Sequence, residues 1–487
     1  MQSNKLITVS YRLPYRFSVI KSKLAVTYSA GGLATALTSY FENSKEKPHH
    51  FESLHWVGIC DLSRKSFDSV SPSDTVTKDG VCMHPVFLSA QTKENFYDGF
   101  CNSTLWPLFL YFPSFVQYKK EFFDEYLRAN QSMCEKIVKI YQPGDTIWIH
   151  DYHWMLLPTL LREALPGSKI GFFLHIPFPC FELYRLLPKP WRIHLLLGLI
   201  GSDVIGFQTD EYVSHFMDSI KNVMPSLMGE NNSFTIYDRT TAIQSFPISI
   251  DYEKFSLESQ RPACINTSKR IRQGIGVNKI ILSVDRLDYT KAIFTRLESY
   301  AMFLEQNAEF HEKVSYILLM VPTRESILKY KENKMNVEAL VSRINGKYGT
   351  LGWTPIVYQY QTVDFRKLVA LYSASDIAFI VPYRDGMNLV AKEYVASRRS
   401  SDGVLILSET AGAASELREA ILVNSNDTQE IADAIVEAMV MIPSDQKFRI
   451  RKMQSHLEKN DVNVWAANFL NSIERVNQTA ETINMQG

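Results

Sequence analysis

The chain has 487 residues with 52 basic and 52 acidic side chains, so its formal net charge is zero, and 46% of it is hydrophobic. That is a soluble globular composition on a length that exceeds one ordinary core, so two domains are expected. The charge balance argues against nucleic acid or anionic lipid as partners, and no apolar run is long enough for a membrane span, LLLGLI (Leu195 to Ile200) included. The opening MQSNKLITVSYRLPYR lacks the apolar heart of a signal peptide. Cys60, Cys82, Cys101, Cys134, Cys180 and Cys264 form no C-x-x-C pair, which argues against a zinc site or a disulfide framework and for a reducing, cytoplasmic setting.

In chain order, Leu6 to Val9 reads as the first strand, with Tyr11-Arg12-Leu13-Pro14 in the loop after it. Ser29-Ala30-Gly31-Gly32 then leads into a helix, LATALTSYF. Gly-Gly before a helix is either a plain turn or a place where backbone N–H groups close on a phosphate. LHWVGI (Leu54 to Ile59) is the next strand. The segment Asn95 to Tyr111 is densely aromatic and belongs mostly to the core, with the polar tips of Tyr97 and Trp106 as candidates to face a ligand. Phe122 to Ile140 reads as a helix, and DTIWIHDYHWMLLPTLLREAL as strand, loop and helix. His150, Asp151 and His153 crowd that loop without a further metal-ligand pattern, which favours Asp151 as a hydroxyl-binding group. KIGFFLHIPFP (Lys169 to Pro179) is a buried strand ending at His175, where ligands gather in open α/β sheets.

The α/β rhythm restarts after Ser245 to Asp251. KIILSVDRLDYTKAI puts Arg286 and Lys291 on a loop at a strand end, a pair of cations suited to a diphosphate. VSYILLMVPTRES places Arg324 after another strand. DIAFIVPYRDGMNLVAKEYVASRR (Asp376 to Arg399) is a strand, a turn containing Asp385 and Gly386, and a helix whose first N–H groups suit an anion. Asp385 and Glu393 there are candidate acceptors for sugar hydroxyls. Alone, such a segment is equally one βα unit among several. Helices close the chain from about Ser444 to Ile483. Two α/β domains on either side of a cleft follow, with a diphosphate on the C-terminal one.

SYRLP with SAGGL, LWPLF, WIHDYH, GFFLHIPFP, DRLDYTK, PYRDGMNLVAKEYVA and LSETAGAASEL occur in one order along nearly the whole chain. Together they resemble the trehalose-6-phosphate synthases, retaining glycosyltransferases of GT-B architecture. The resemblance implies two Rossmann-like doubly wound α/β domains facing across a cleft. Residues 1–247 would bind the acceptor and 248–464 the nucleotide sugar, with a C-terminal helix, 465–487, returning to the first domain. It implies glucosyl transfer from a nucleoside-diphosphate glucose (UDP-glucose, or ADP- or GDP-glucose) to glucose 6-phosphate, giving α,α-trehalose 6-phosphate. Arg286, Lys291, His175 and Asp385 would carry catalysis. The donor would be held by these four with Gly31, Gly32, Gly386, Met387, Asn388, Leu389 and Glu393, the last on the ribose. Arg12, Tyr97, Trp106 and Arg324 would bind the acceptor, mainly its phosphate, and Asp151 its hydroxyls.

No metal and no other cofactor are expected, since side-chain cations and a helix N-terminus stabilise the leaving diphosphate. A homo-oligomer is compatible, and with no phosphatase segment after the closing helices, dephosphorylation is expected from a separate trehalose-6-phosphate phosphatase. The chain departs from the family pattern at Tyr11 (usually Asn), Ile59 (usually Trp), Ala292 (usually Gly) and Ser425-Asn426 (usually Pro and an aromatic). Relatives of the same fold use other acceptors, as glucosylglycerol-phosphate synthases and pseudo-glycosyltransferases do. Others are silent regulatory subunits, which lose the cations and the Asp-Gly-Met-Asn turn kept here.

Overall fold

The computed structural model describes residues 4–28, 34, 37–40, 51–71, 73–227, 233–236, 239–322 and 328–486. The chain divides into two compact units, Met1–Ile248 with Val462–Gly487, and Ser249–Asp461. No helix among the described residues is long and apolar enough to cross a membrane.

In the first unit the strands are β1 (Lys5–Arg12), β2 (Tyr15–Ile20), β3 (Lys23–Tyr28), β4 (Ser53–Ile59), β5 (Val76–Lys78), β6 (Val81–Val86), β7 (Thr146–His150), β8 (Lys169–Phe173), β9 (Val204–Phe207), β10 (Ser233–Ile236) and β11 (Arg239–Ser245). β2 and β3 form a separate hairpin, turning at Lys21 and Ser22, both at positive φ as a tight two-residue turn requires. The other strands make one sheet in the order β10-β11-β9-β8-β7-β1-β4-β6-β5, parallel except where β5 and β10 pair at the edges. Its central strands read as continuous apolar runs because helices cover both faces. From β1 the chain builds outward through β4 and β6 on one side and through β7, β8 and β9 on the other. The order therefore reverses between β1 and β7, and in such sheets ligands gather beyond the carboxyl ends of the strands at that reversal.

The closing helix, Val462–Gln486, belongs to this unit and lies on β8, β9 and β11. Phe469 and Ile473 sit where a side chain at Gly171 would be, and Phe469 also covers Gly206, so two glycines make the groove that seats it. Phe469 stacks on Trp148 at 5.0 Å.

The second unit has one wholly parallel sheet of β12 (Lys279–Arg286), β13 (Val314–Val321), β14 (Ile356–Tyr360), β15 (Ile377–Ile380), β16 (Val404–Ser408) and β17 (Ile421–Val423), in the order β14-β13-β12-β15-β16-β17. Here the reversal falls between β12 and β15. Beneath it Arg296, 1% exposed, bonds Asp285 at 2.6 Å and the Phe379 carbonyl at 3.1 Å, tying the helix after β12 to both strands.

One local expectation is corrected. Tyr11 and Arg12 belong to β1 rather than to the loop, because an irregularity between Val9 and Arg12 lets the strand continue in register with Ile59. In the aromatic stretch, Glu94–Leu105 winds with wide π-type turns before a short α-helical turn, Trp106–Phe109. Asn102 and Ser103 side chains bond the carbonyls of Tyr97 and Asp98, five residues back.

Candidate active site

In the second unit the loops after β12 and β15 meet at the reversal. β12 ends at Arg286, whose side chain is exposed. The chain then turns through Tyr289–Lys291, where the Asp288 carboxylate accepts from the Thr290 N–H at 3.1 Å and its hydroxyl at 3.0 Å. Ala292 follows with φ 49° and ψ 40°, a left-handed conformation that costs an alanine roughly 1–2 kcal/mol and a glycine almost nothing. That is a physical reason for glycine at this position in related chains.

The Lys291 ammonium bonds the Asp385 carboxylate at 2.5 Å. The same Asp385 oxygen accepts from the Asn388 amide at 3.0 Å. Asn388, at φ 85°, caps the helix Leu389–Ala396 by accepting from the Ala391 N–H at 3.1 Å. Tyr383 joins the two loops from the other side, its N–H bonding the Thr290 carbonyl at 2.9 Å and its hydroxyl lying 2.6 Å from that of Thr295. Arg286, Lys291, Asp385, Gly386, Met387, Asn388 and Leu389 are thus all on the two loops of this reversal or on the helix start they lead into.

Glu393 lies one turn further along that helix, and its carboxylate accepts from the Tyr372 hydroxyl at 2.7 Å. Burial raises the Glu393 carboxyl above its ordinary range, and the Tyr372 bond opposes that rise. Lys392, 0% exposed, is neutralised by Glu416 at 2.5 Å, and His456 bonds the other Glu416 oxygen at 3.0 Å.

A third loop clamps the turn from outside. Thr410 donates its hydroxyl to the Tyr383 carbonyl at 2.7 Å, the Gly412 N–H bonds the Asp385 carbonyl at 3.1 Å, and the Ala413 N–H bonds that of Met387 at 2.7 Å. A Cβ at Gly412 would run into the Gly386 carbonyl, so only glycine lets these strand ends come so close. These residues were missed in the sequence reading, although LSETAGAASEL, with its one glycine between two alanines, carries the signal.

In the first unit Arg12 stands at the end of β1 and Asp151 just past the end of β7, the neighbouring strands at its reversal. Asp151 takes φ 77° and ψ 167°, a backbone that non-glycine residues rarely adopt. Its carboxylate accepts from the His175 N–H at 3.3 Å and its N–H bonds the Phe173 carbonyl at 2.7 Å. The imidazoles of His150 and His175 meet at 3.1 Å. Burial pushes His175 down to about 3, and pushes His150 well below the ordinary histidine value, so both rings are neutral at physiological pH.

The Arg12 guanidinium lies beside the Tyr97 side chain, which favours its charged form. Tyr11 stacks flat on Tyr97 at 4.0 Å and on His153 at 4.9 Å, so this departure adds a ring beside a candidate acceptor contact. Trp106, 7% exposed, packs against Tyr152 at 5.9 Å. The structure thus brings Arg12 to Tyr97 and Asp151 to His175. Gly31, Gly32 and Arg324 lie outside the described residues.

The sequence profile of Glycosyltransferase family 20 matches residues 4–475. The chain belongs to that family. It is 40% identical over 486 residues to a bifunctional trehalose-6-phosphate synthase/phosphatase of Thermoproteus tenax, an alignment that takes in 98% of this chain and 65% of that one. The chain therefore spans just under two thirds of that relative. Among solved structures it is similar to a UDP-forming alpha,alpha-trehalose-phosphate synthase from Burkholderia xenovorans in complex with glucose-6-phosphate, with TM-score 0.84, 30% identity, and 96% of this chain and 100% of that one covered. A second similar structure, described as trehalose-6-phosphate from E. coli bound with UDP-2-fluoro glucose, has TM-score 0.85 and 32% identity over 96% and 98% of the two chains. The fold is that of the family, GT-B, with a Rossmann-like sheet in each unit.

Proposed function

We propose that this glycosyltransferase moves glucose, with retention, from a nucleoside-diphosphate glucose to glucose 6-phosphate, giving α,α-trehalose 6-phosphate and the free nucleoside diphosphate. UDP-glucose is the donor named by the reading, in keeping with the UDP-forming relatives. The observation that carries it is the reversal of the second unit's sheet, where Lys291 and Asp385 pair beside a capped helix start. A cation, a carboxylate and a helix N-terminus at one point match a diphosphate with a sugar attached.

Arg286 and Lys291 hold the diphosphate and stabilise the charge that grows on it as the glycosidic bond breaks. Asp385 accepts from glucose hydroxyls, the backbone of Gly386 to Leu389 meets sugar and phosphate, and Glu393 takes the ribose. Arg12 with Tyr97, Trp106 and Arg324 receive the acceptor's phosphate, Asp151 its hydroxyls, and His175 contacts the transferring glucose. The leaving phosphate oxygen takes the acceptor's proton on the same face of the sugar, so configuration is kept without a protein nucleophile. Positioning and charge stabilisation then supply the acceleration. The transfer needs no metal in this reading, because the cations at the site are side chains.

The enzyme then works in the cytoplasm, a homo-oligomer is compatible with the transfer, and a trehalose-6-phosphate phosphatase is the activity that consumes its product. Each nucleoside-diphosphate glucose assayed against glucose 6-phosphate and glycerol 3-phosphate tests it. Trehalose 6-phosphate from UDP-glucose and glucose 6-phosphate is expected. Product from glycerol 3-phosphate alone would move the chain to another acceptor class, and no product from any pair would make it a silent subunit.

A further inference from the structure

His55 lies near the start of β4, and Cys82 and His84 on β6 beside it. Parallel pairing sets His55 opposite Cys82, and the strand period of two puts His84 on the same face as Cys82. One ligand atom from each of these three residues lies within 4.8 Å of the others, and this is the one such cluster among the described residues. The cluster stands near the amino ends of its strands, whereas Arg12 and Asp151 stand at carboxyl ends of the same sheet. It is therefore separate from the residues assigned to transfer.

Nδ1 of His55 and Nε2 of His84 meet at 2.8 Å, with the rings 14° from coplanar and their centroids 5.0 Å apart. That is an edge-to-edge contact, nitrogen facing nitrogen, and two neutral rings share one proton across it. Ser53 Oγ lies 3.2 Å from the far nitrogen of His55. The far nitrogen of His84, a residue 4% exposed, is buried with no hydrogen-bond partner. His55 and Cys82 are both partly exposed, and the Cys82 thiol is free, so solvent ions reach the group.

We propose that His55, Cys82 and His84 form a binding site for a thiophilic divalent ion of the zinc class, joining β4 to β6 with solvent as the fourth ligand. Two nitrogens on a tetrahedral zinc stand roughly 3.3 Å apart, given bonds of about 2.0–2.1 Å. The rings need to part by about half an ångström from their present 2.8 Å and to turn so that both lone pairs converge on a point beside the line between the nitrogens. The ion takes the place of the shared proton. Each ring keeps one proton, on its far nitrogen, and that of His55 then points at the Ser53 hydroxyl, which orients the ligand. The Cys82 thiol loses its proton to water and binds as thiolate, so one proton is released per ion bound.

The test is Co²⁺ titration of the full-length, metal-free protein, followed by absorbance and then by Zn²⁺ competition. One equivalent is expected, with a near-ultraviolet thiolate-to-cobalt band that Zn²⁺ abolishes. Cys82→Ser, which preserves size at a partly exposed position, should lose the band, and His55→Gln should bind Co²⁺ at least tenfold more weakly. Zn²⁺ should raise the melting temperature of the wild type and not of Cys82→Ser, while Cys82→Ser keeps the wild-type transfer rate. Absence of saturable binding, or a band and a melting shift that survive in Cys82→Ser, would overturn the site.

Discussion

The Lys291 ammonium and the Asp385 carboxylate, 94 residues apart in the chain, meet at 2.5 Å and join the loops that follow β12 and β15. The pair is the point at which the second unit's strand order reverses, so one contact both shapes the turn and concentrates the chemistry. Without a donor the carboxylate neutralises the ammonium. In the proposed reaction a diphosphate would compete for the same cation and leave Asp385 to the sugar. A hydrogen bond to a charged group is worth about 1.5–3 kcal/mol, or roughly ten- to a hundredfold in rate. Asp385→Ala is therefore expected to lower kcat/KM for the nucleotide sugar by that factor while the far-ultraviolet circular dichroism stays unchanged. Initial-rate kinetics at varied donor decide it, and an unchanged kcat/KM rejects the assignment.

Gly412 tests the clamp on that turn. Its added methyl group in Gly412→Ala meets backbone at Gly386, which cannot swing away as a side chain would. Displacing reacting groups by about 1 Å can cost around a hundredfold. The expected outcome is a loss of at least tenfold in kcat/KM together with weaker UDP binding in calorimetry. Wild-type UDP affinity would show that the turn does not depend on this approach.

Tyr372 supports Glu393 through one carboxylate oxygen, and the proposed ribose contact would use the other. Tyr372→Phe removes a bond worth about 1 kcal/mol, so the donor KM should rise roughly fivefold with kcat little changed. Preference for UDP-glucose over its 2′-deoxyribose analogue should fall with it. A KM that stays put would detach Tyr372 from donor binding.

How much of this was legible in the chain depends on how local the determinant is. Arg286, Lys291 and Asp385 could be picked out because each follows a short apolar strand directly, and strand ends are where such sheets bind. Sheet order is non-local, so nothing in the one-dimensional pattern told that β12 neighbours β15 or that Thr410 and Gly412 would grip the Asp385 turn. The positive φ of Asp151 and Ala292 is likewise set by what surrounds them, not by residue type. Cysteine spacing argued against a zinc site because it cannot show His55, Cys82 and His84, which parallel pairing brings together with the two histidines 29 positions apart in the chain. Tyr11 and Arg12 were assigned to a loop because the Pro14 turn outweighed an irregularity that only the pairing with Ile59 exposes.

His150 and His175 set an acid limit on the first unit. Burial lowers His175 from 6.5 to about 3 and holds His150 well below 6.5, and a proton on His150 Nε2 would be buried without an acceptor. The unfolded chain binds these protons near 6.5 and the folded one does not. The stabilising contribution is therefore full above about 6.5 and is lost as pH falls from there toward 3, by up to about 1.4 kcal/mol per pH unit for each ring. Urea midpoints read by tryptophan fluorescence should drop between pH 7 and pH 5, and less steeply in His150→Gln. A midpoint independent of pH across that range contradicts the neutral buried pair.

The central claim is that side-chain positive charge at the end of β12 draws off the nucleotide, and the turnover of Arg286→Ala at saturating UDP-glucose and glucose 6-phosphate tests it most directly. Losing charge stabilisation of this kind costs on the order of a hundredfold, so kcat is predicted to fall by at least about a hundredfold with the fold intact. Turnover close to that of the wild type would contradict the account.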